Sequence, residues 1–379
     1  MEALSGGRIF DGTEIVEGSA VIVSDGRIRA VVRDSEVPPG TSTVDLAGQL
    51  LAPGFIDVQV NGGGGVLLND QPNSDGIAAI ADVHRRLGTT GLLPTLISDD
   101  WTVMTAAANG VRKSLASGEP GVLGIHFEGP WLNTERKGAH DASKLRRPDE
   151  PALALFCSGG LGTVVVTLAP EMVPPGTITR LAGAGVRVCA GHSAATYGET
   201  CAALEEGLAG FTHLFNGMPA MEGRTPGIVG AALEDNRSWC GLIVDGHHVH
   251  PATLRTAIAA KEPGRMILVS DAMPSVGTSD NKFSLGGRIV HVREGRCVTE
   301  DGTLAGSNLH MALAVRNAVD HLGLPIEEAL RMASLYPAAF LRLDQERGRI
   351  AAGYRADLVL LDERFRAQRV WIAGNLVNS

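Results

Sequence analysis

Residues 121–129 read GVLGIHFEG, a short apolar run that closes on a histidine, a carboxylate and a glycine. Apolar residues that follow one another without polar alternation mark a strand buried on both faces, as in a parallel sheet. Working outward, the same design recurs at FIDVQVNG (55–62), GLLPTLIS (91–98), GTVVVTLAP (162–170), VRVCAGHS (186–193), GFTHLFNG (210–217), CGLIVDG (240–246) and MILVSDAM (266–273). The stretches between carry helical spacing, for example Ile77, Ile80, Ala81, His84 and Leu87 before Gly88. Eight strand–helix units predict an α/β fold, a (β/α)8 TIM-like barrel. A doubly wound sheet has fewer strands and calls for a Gly-rich phosphate turn after the first. Asn61-Gly-Gly-Gly-Gly65 fits neither nucleotide fingerprint and reads as a flexible active-site turn.

The two ends have a different texture. Residues 8–33 and 349–375 alternate apolar and polar, with Asp-Gly turn signals at 11–12 and 25–26. Neither end makes a core alone, so one small β-sandwich domain built from both termini is expected, 1–52 plus 347–379. The barrel then spans 53–346, with a β-hairpin insertion near 283–305.

Composition narrows the function. The 379 residues include 44% hydrophobic and 20% charged side chains, which supports a core and excludes disorder. A net charge of −9 without a basic patch argues against a nucleic-acid partner. No apolar run is long enough to cross a bilayer, and MEALSGGRIF lacks the parts of a signal peptide, so no membrane association and a cytoplasmic location are expected. The five cysteines form no CxxC pair and read as small apolar fillers. Cys189 and His192 have a zinc-like spacing, but strand geometry sends them to opposite faces.

In barrels the reactive groups lie at the C-terminal ends of the strands. Those positions hold Gln59 and Asn61, His126 and Glu128, His192, His213 and Asp271. Glu128, His192 and His213 form a His2Glu set, a catalytic metal arrangement that leaves a position for water. Asp271 suits the general base and then general acid. His126 shares the face of Glu128 one layer deeper, either orienting that ligand or simply a hydrogen-bonded core histidine. Gln59 and Asn61 carry neutral amides, which bind zinc poorly compared with imidazole. Zinc is the first expectation; iron, cobalt and manganese suit the same ligands.

PGFIDVQVNGGGG (53–65), HFEGPWLN (126–133), KGAHD (137–141), AGHSAAT (190–196), THLFNGMP (212–219), PG (226–227), VDGHHV (244–249), VSDAM (269–273) and TLAGS (303–307) occur in this order. Together they resemble the N-acetylglucosamine-6-phosphate deacetylases of the amidohydrolase superfamily over nearly the whole chain. The resemblance implies metal-dependent hydrolysis of the 2-acetamido group of a sugar phosphate, with Glu128, His192 and His213 as ligands and Asp271 as acid/base. Many amidohydrolases have two histidines after the first strand for a second metal; Gln59 and Asn61 stand there instead, so one divalent ion per subunit is expected. It also implies that His140 polarises the amide carbonyl, and that Asn216, Gly217, Leu304, Ala305, Gly306 and Ser307 contact substrate. Arg224 and His248 match phosphate-binding positions, one of them donated by the neighbouring subunit of a homodimer. His247 and His250 match nothing functional. A deacetylase for an epimer such as N-acetylgalactosamine 6-phosphate is the nearest alternative; a non-catalytic amidohydrolase-like scaffold would have lost ligands that are intact here. The segment 130–147, with Trp131, is either a mobile loop over the site or fixed packing.

Overall fold

The computed structural model describes residues 1–377. At its centre is one parallel sheet in chain order: β1 (Phe55–Val60), β2 (Thr89–Ile97), β3 (Gly124–Glu128), β4 (Thr163–Leu168), β5 (Arg187–Ala190), β6 (Gly210–Phe211), β7 (Trp239–Leu242) and β8 (Met266–Leu268). A parallel bridge from Val60 to Ala272, with the Asp271 N–H donating to the Gln59 carbonyl at 3.0 Å, joins the segment after β8 to β1 and closes the barrel. A helix follows every strand, from Ser74–Arg86 after β1 to Met311–Leu322 after β8. The local chemistry explains these helices. Asn73 caps Ser74–Arg86 by accepting from the Asp75 and Gly76 amides, Ile77, Ile80 and Ala81 face the core, and Arg85 and Arg86 sit at the negative end of the helix dipole.

The chain ends build two further sheets. In the six-stranded one, Leu358–Leu361 pairs antiparallel with Leu50–Pro53, so late and early segments share one ladder. The four-stranded one runs Arg27–Arg33, Ser19–Ser24, Glu2–Ser5, Ser42–Asp45. Leu4, Ile9, Val21, Leu51, Leu358 and Trp371 pack in a second apolar core, giving a small β-sandwich beside the barrel.

The insertion after β8 is more than the expected hairpin. Lys282–Leu285, Arg288–Arg293, Arg296–Thr299 and Leu304–Ser307 form a four-stranded antiparallel meander. It is seated on Leu67 and Met273 by its own apolar residues Leu285, Val290, Cys297 and Ala305. Among the described residues no helix is long and apolar enough to cross a membrane.

Candidate metal centre and active site

Glu128 is the last residue of β3 and is buried between ladders to β2 and β4. The other three groups stand just beyond strand ends, in a backbone conformation that side-chain-bearing residues rarely adopt: His192 at φ 49°, His213 at φ 30° and Asp271 at φ 52°. Such residues cost roughly 1–3 kcal/mol each and cluster where function holds them. Here the left-handed turn breaks the in–out alternation of the strand and brings the side chain to the barrel mouth.

The result is a tight triangle. Glu128 Oε1 lies 3.1 Å from His192 Nε2 and 3.0 Å from His213 Nε2, and the two Nε2 atoms are 3.1 Å apart. Three ligands of a tetrahedral zinc are separated by about 3.3 Å, as the usual ~2.0 Å bonds require. His192 donates its Nδ1–H to the Arg136 carbonyl at 2.9 Å, so in the neutral ring the Nε2 lone pair faces a carboxylate oxygen. Two acceptors in contact want a cation between them, and the donor set therefore fits a divalent metal. Burial works against the charge of Glu128, but the two histidines outweigh it and hold its carboxyl well below the usual range.

His140 also lies near this group: one of its ring nitrogens, a Glu128 carboxylate oxygen and a His192 ring nitrogen all lie within 4.8 Å of one another. Its tautomer argues for a different part. The Ser98 N–H, which can only donate, faces His140 Nδ1 at 3.4 Å, and Ser98 Oγ lies 3.1 Å from the same atom. Nδ1 is thus the acceptor and Nε2 carries the proton, a donor rather than a ligand. Burial first, then the neighbouring His192, pushes the His140 pKa down to about 3, so the ring is neutral.

Asp271 Oδ1 accepts from Gln59 Nε2 at 3.1 Å and from Asn61 Nδ2 at 2.6 Å, and Gln59 Nε2 also reaches Glu128 Oε1 at 3.2 Å. The two amides face the carboxylates with their N–H groups, which cannot ligate a cation. Burial, with the charge of Glu128 second, raises the Asp271 pKa to about 6, suiting a base near neutral pH.

One cavity of about 220 Å³ joins these groups, lined by Glu128, His140, His192, His213, Asn216, Gly217, His248, Asp271, Leu304 and Gly306. Gly217, at φ 63°, is required by crowding: a Cβ there would stand 2.8 Å from His192 Nδ1 and 3.1 Å from the Arg136 carbonyl that it bonds.

The other residues singled out in the sequence divide between those that reach the cavity and those that do not. Ala305 and Ser307 do not line the cavity. They alternate with Leu304 and Gly306 along one strand, so Ala305 packs into the apolar cluster and Ser307 Oγ donates to the Ser270 carbonyl at 2.6 Å. Arg224 is exposed in a separate groove with Tyr197, Glu222 and Pro226, and no lysine or arginine of the described residues lines the catalytic cavity. Gly62–Leu67 is a packed two-stranded ladder rather than a flexible turn; a Cβ on Gly62 would meet the Val66 carbonyl at 2.4 Å. His126 is a core histidine, bonded to the Val58 carbonyl at 3.0 Å and Thr167 Oγ1 at 2.8 Å, and burial lowers its pKa to about 4. Trp131 is packing, buried edge-on against Phe156 at 5.2 Å. Cys189 is buried, with its thiol pushed up to about 12 by burial. His250 caps the helix Pro251–Ala260.

Other residues matter that motif reading passed over. Asp245 Oδ2 accepts from His248 Nδ1 at 2.6 Å and aims that ring; its place three residues before the histidine is the signal that could have found it. Glu171 accepts from Asn133, Ser193 and the Ala194 amide, bracing the turn after His192.

A barrel with a Glu–His–His centre and an aspartate beside it at the mouth defines a metal-dependent hydrolase. Residues 50–377 match the Amidohydrolase family and residues 1–51 the NagA composite domain, and the chain belongs to the amidohydrolase family. It is 41% identical to the N-acetylgalactosamine-6-phosphate deacetylase of a Shewanella species, covering 98% of this chain and 95% of that one. The crystal structure of N-acetylglucosamine-6-phosphate deacetylase from Pasteurella multocida superposes with a TM-score of 0.96 at 33% identity, over 99% of both chains. A Mycobacterium smegmatis N-acetyl-D-glucosamine-6-phosphate deacetylase mutant, in complex with N-acetyl-D-glucosamine-6-phosphate, superposes at 0.92 with 35% identity, over 100% of this chain and 99% of that one.

Proposed function

We propose that this amidohydrolase hydrolyses the acetamido group of N-acetyl-D-glucosamine 6-phosphate, releasing acetate and D-glucosamine 6-phosphate. The observation that carries the reading is that the Asp271 carboxylate and the neutral His140 ring line one cavity together with the Glu128–His192–His213 triangle. Glu128, His192 and His213 would hold one divalent ion, zinc first, which when bound supplies a Lewis acid and lowers the pKa of water toward neutrality. Asp271, steadied by Gln59 and Asn61, takes the proton of the attacking water as oxygen bonds to the acetyl carbon. His140 Nε2–H donates to the carbonyl oxygen as negative charge develops there. Asp271 then returns its proton to the sugar nitrogen as the C–N bond breaks. The cavity supplies His248 as a polar partner for phosphate but no guanidinium. Arg224 therefore acts in our reading from the second subunit of a homodimer.

The relation to the Shewanella enzyme favours a second reading, N-acetylgalactosamine 6-phosphate, which differs in the direction of one hydroxyl. Acetate release from both epimers, with and without chelator, tests both. The first reading expects faster turnover of the gluco epimer and its loss on chelation; faster galacto turnover would replace it. Metal analysis should return one ion per chain, and two tightly held ions would overturn the role given to Gln59 and Asn61.

A further inference from the structure

The meander Lys282–Ser307 and the segment that carries His140 are far apart in sequence, yet they meet at a single polar contact. The Arg288 guanidinium donates to the Ala139 carbonyl. That carbonyl belongs to the peptide unit whose N–H is His140's own, and this N–H donates to the Lys137 carbonyl at 3.1 Å. The peptide plane from which the His140 side chain hangs is thus pinned at both edges, by Arg288 on one and Lys137 on the other. Lys137 Nζ also donates to the His140 carbonyl at 3.3 Å. Ala139 itself packs on the apolar cluster of Leu67 and Met273 with Leu285, Val290, Cys297 and Ala305, the last four of which belong to the meander.

His140 needs this help. It lies between two short 3-10 turns, Thr134–Arg136 and Ala142–Lys144, with Gly138 and Asp141 exposed on either side. No sheet ladder holds it. Displacing a reacting or polarising group by ~1 Å costs on the order of 10²-fold in rate. A charge-assisted bond to one carbonyl is strong enough to hold such a loop in register.

We propose that Arg288 is a positioning residue for His140: through the Ala139 carbonyl it fixes the peptide plane that aims the His140 N–H into the cavity. This rests on the deacetylase reading above for its kinetic consequence, but not for its structural one.

The test uses R288M, which keeps the stem packing and removes the donors, R288K, which restores a donor, H140A, and the R288M/H140A pair, all as metal-loaded enzyme with metal content and Tm measured. R288M is expected to lose about tenfold or more in kcat with KM within about threefold, and R288K to recover most of that loss. The double variant should be no slower than H140A, because Arg288 has nothing left to position. In hydrogen–deuterium exchange, peptides covering 137–144 should exchange faster in R288M while β3 and β4 peptides do not change. A multiplicative loss in the double variant, a loss confined to KM, or unaltered exchange at 137–144 would overturn the proposal. Should wild type release no acetate from any N-acetylhexosamine phosphate, the deacetylase reading fails, and the exchange comparison alone decides for or against Arg288.

Discussion

Glu128 and His140 look into the same cavity from supports that differ at every level. Glu128 ends a strand with ladder partners on both sides, and its neighbours in the site are other strand-end groups. His140 hangs from a loop and borrows its orientation from Ser98, Lys137 and Arg288, which lie on three other stretches of chain or at the loop's own start. A strand end holds a reactive group as a by-product of folding the barrel. A loop holds one only by collecting contacts, each of which can be lost without unfolding anything. The strand-borne wall should therefore respond to substitutions of the reacting groups themselves, the loop-borne wall to remote ones as well.

The largest expected effect tests the strand-borne wall. Asp271→Asn keeps the shape and the contacts with Gln59 and Asn61 in part, but removes the base. kcat should fall by roughly 10²- to 10⁴-fold with metal content unchanged. Near-normal turnover in this variant would put the proton transfer elsewhere. On the loop-borne wall, His140→Gln should cost about 10²- to 10³-fold in kcat, the usual weight of one oxyanion donor, again with the metal retained. Loss of metal in that variant would mean that His140 is a ligand, and the distinction drawn from its Nε2–H tautomer would collapse.

These two walls were unequally legible in the sequence. Strands buried on both faces leave continuous apolar runs, so the polar residue that ends each run stands out, as Glu128, His192, His213 and Asp271 do. The left-handed backbone at three of them leaves no trace in residue type, since none is a glycine. The TLAGS motif spans Leu304–Ser307 as a block, whereas strand alternation turns only Leu304 and Gly306 to the cavity. Gln59 and Asn61 announce by residue type only what they bind poorly; that their N–H groups clamp Asp271 depends on barrel closure, a contact across more than 200 positions. Arg288 and Asp245 act through one bond each to a neighbour of a site residue, and such couplings have no motif.

Arg224 sharpens the comparison from a third direction, because it belongs to neither wall of its own chain. In the proposed dimer, Arg224→Ala should raise KM for the phosphorylated sugar by about 10- to 100-fold, the weight of a charged hydrogen bond, while leaving the slow turnover of the unphosphorylated sugar unchanged. An equal effect on both sugars would make Arg224 a structural residue of the groove beside Tyr197.

The smallest effect concerns a cost hidden within the strand-borne wall. Asp57, on β1, is fully buried; its Oδ1 accepts from the Gln59 amide at 3.2 Å and the Ser270 amide at 3.3 Å, and its Oδ2 has no partner among the described residues. These amides flank the stretch that closes the barrel and ends in Asp271, so the carboxyl braces the base while fully buried. Burial raises its pKa to about 7. The unfolded value is ~3.9, so between these limits the folded protein keeps a proton that the unfolded chain has released. The stability from this group is full below ~4 and is lost as pH rises through about 7. Wild type should lose about 1 kcal/mol between pH 6 and pH 7 from this source, and Asp57→Asn, which has no charge to bury, should lack that slope. Urea unfolding of both proteins across that interval measures the difference. Parallel pH profiles would mean that Asp57 is already ionised in the folded barrel, and that the wall built on strand ends carries no such cost.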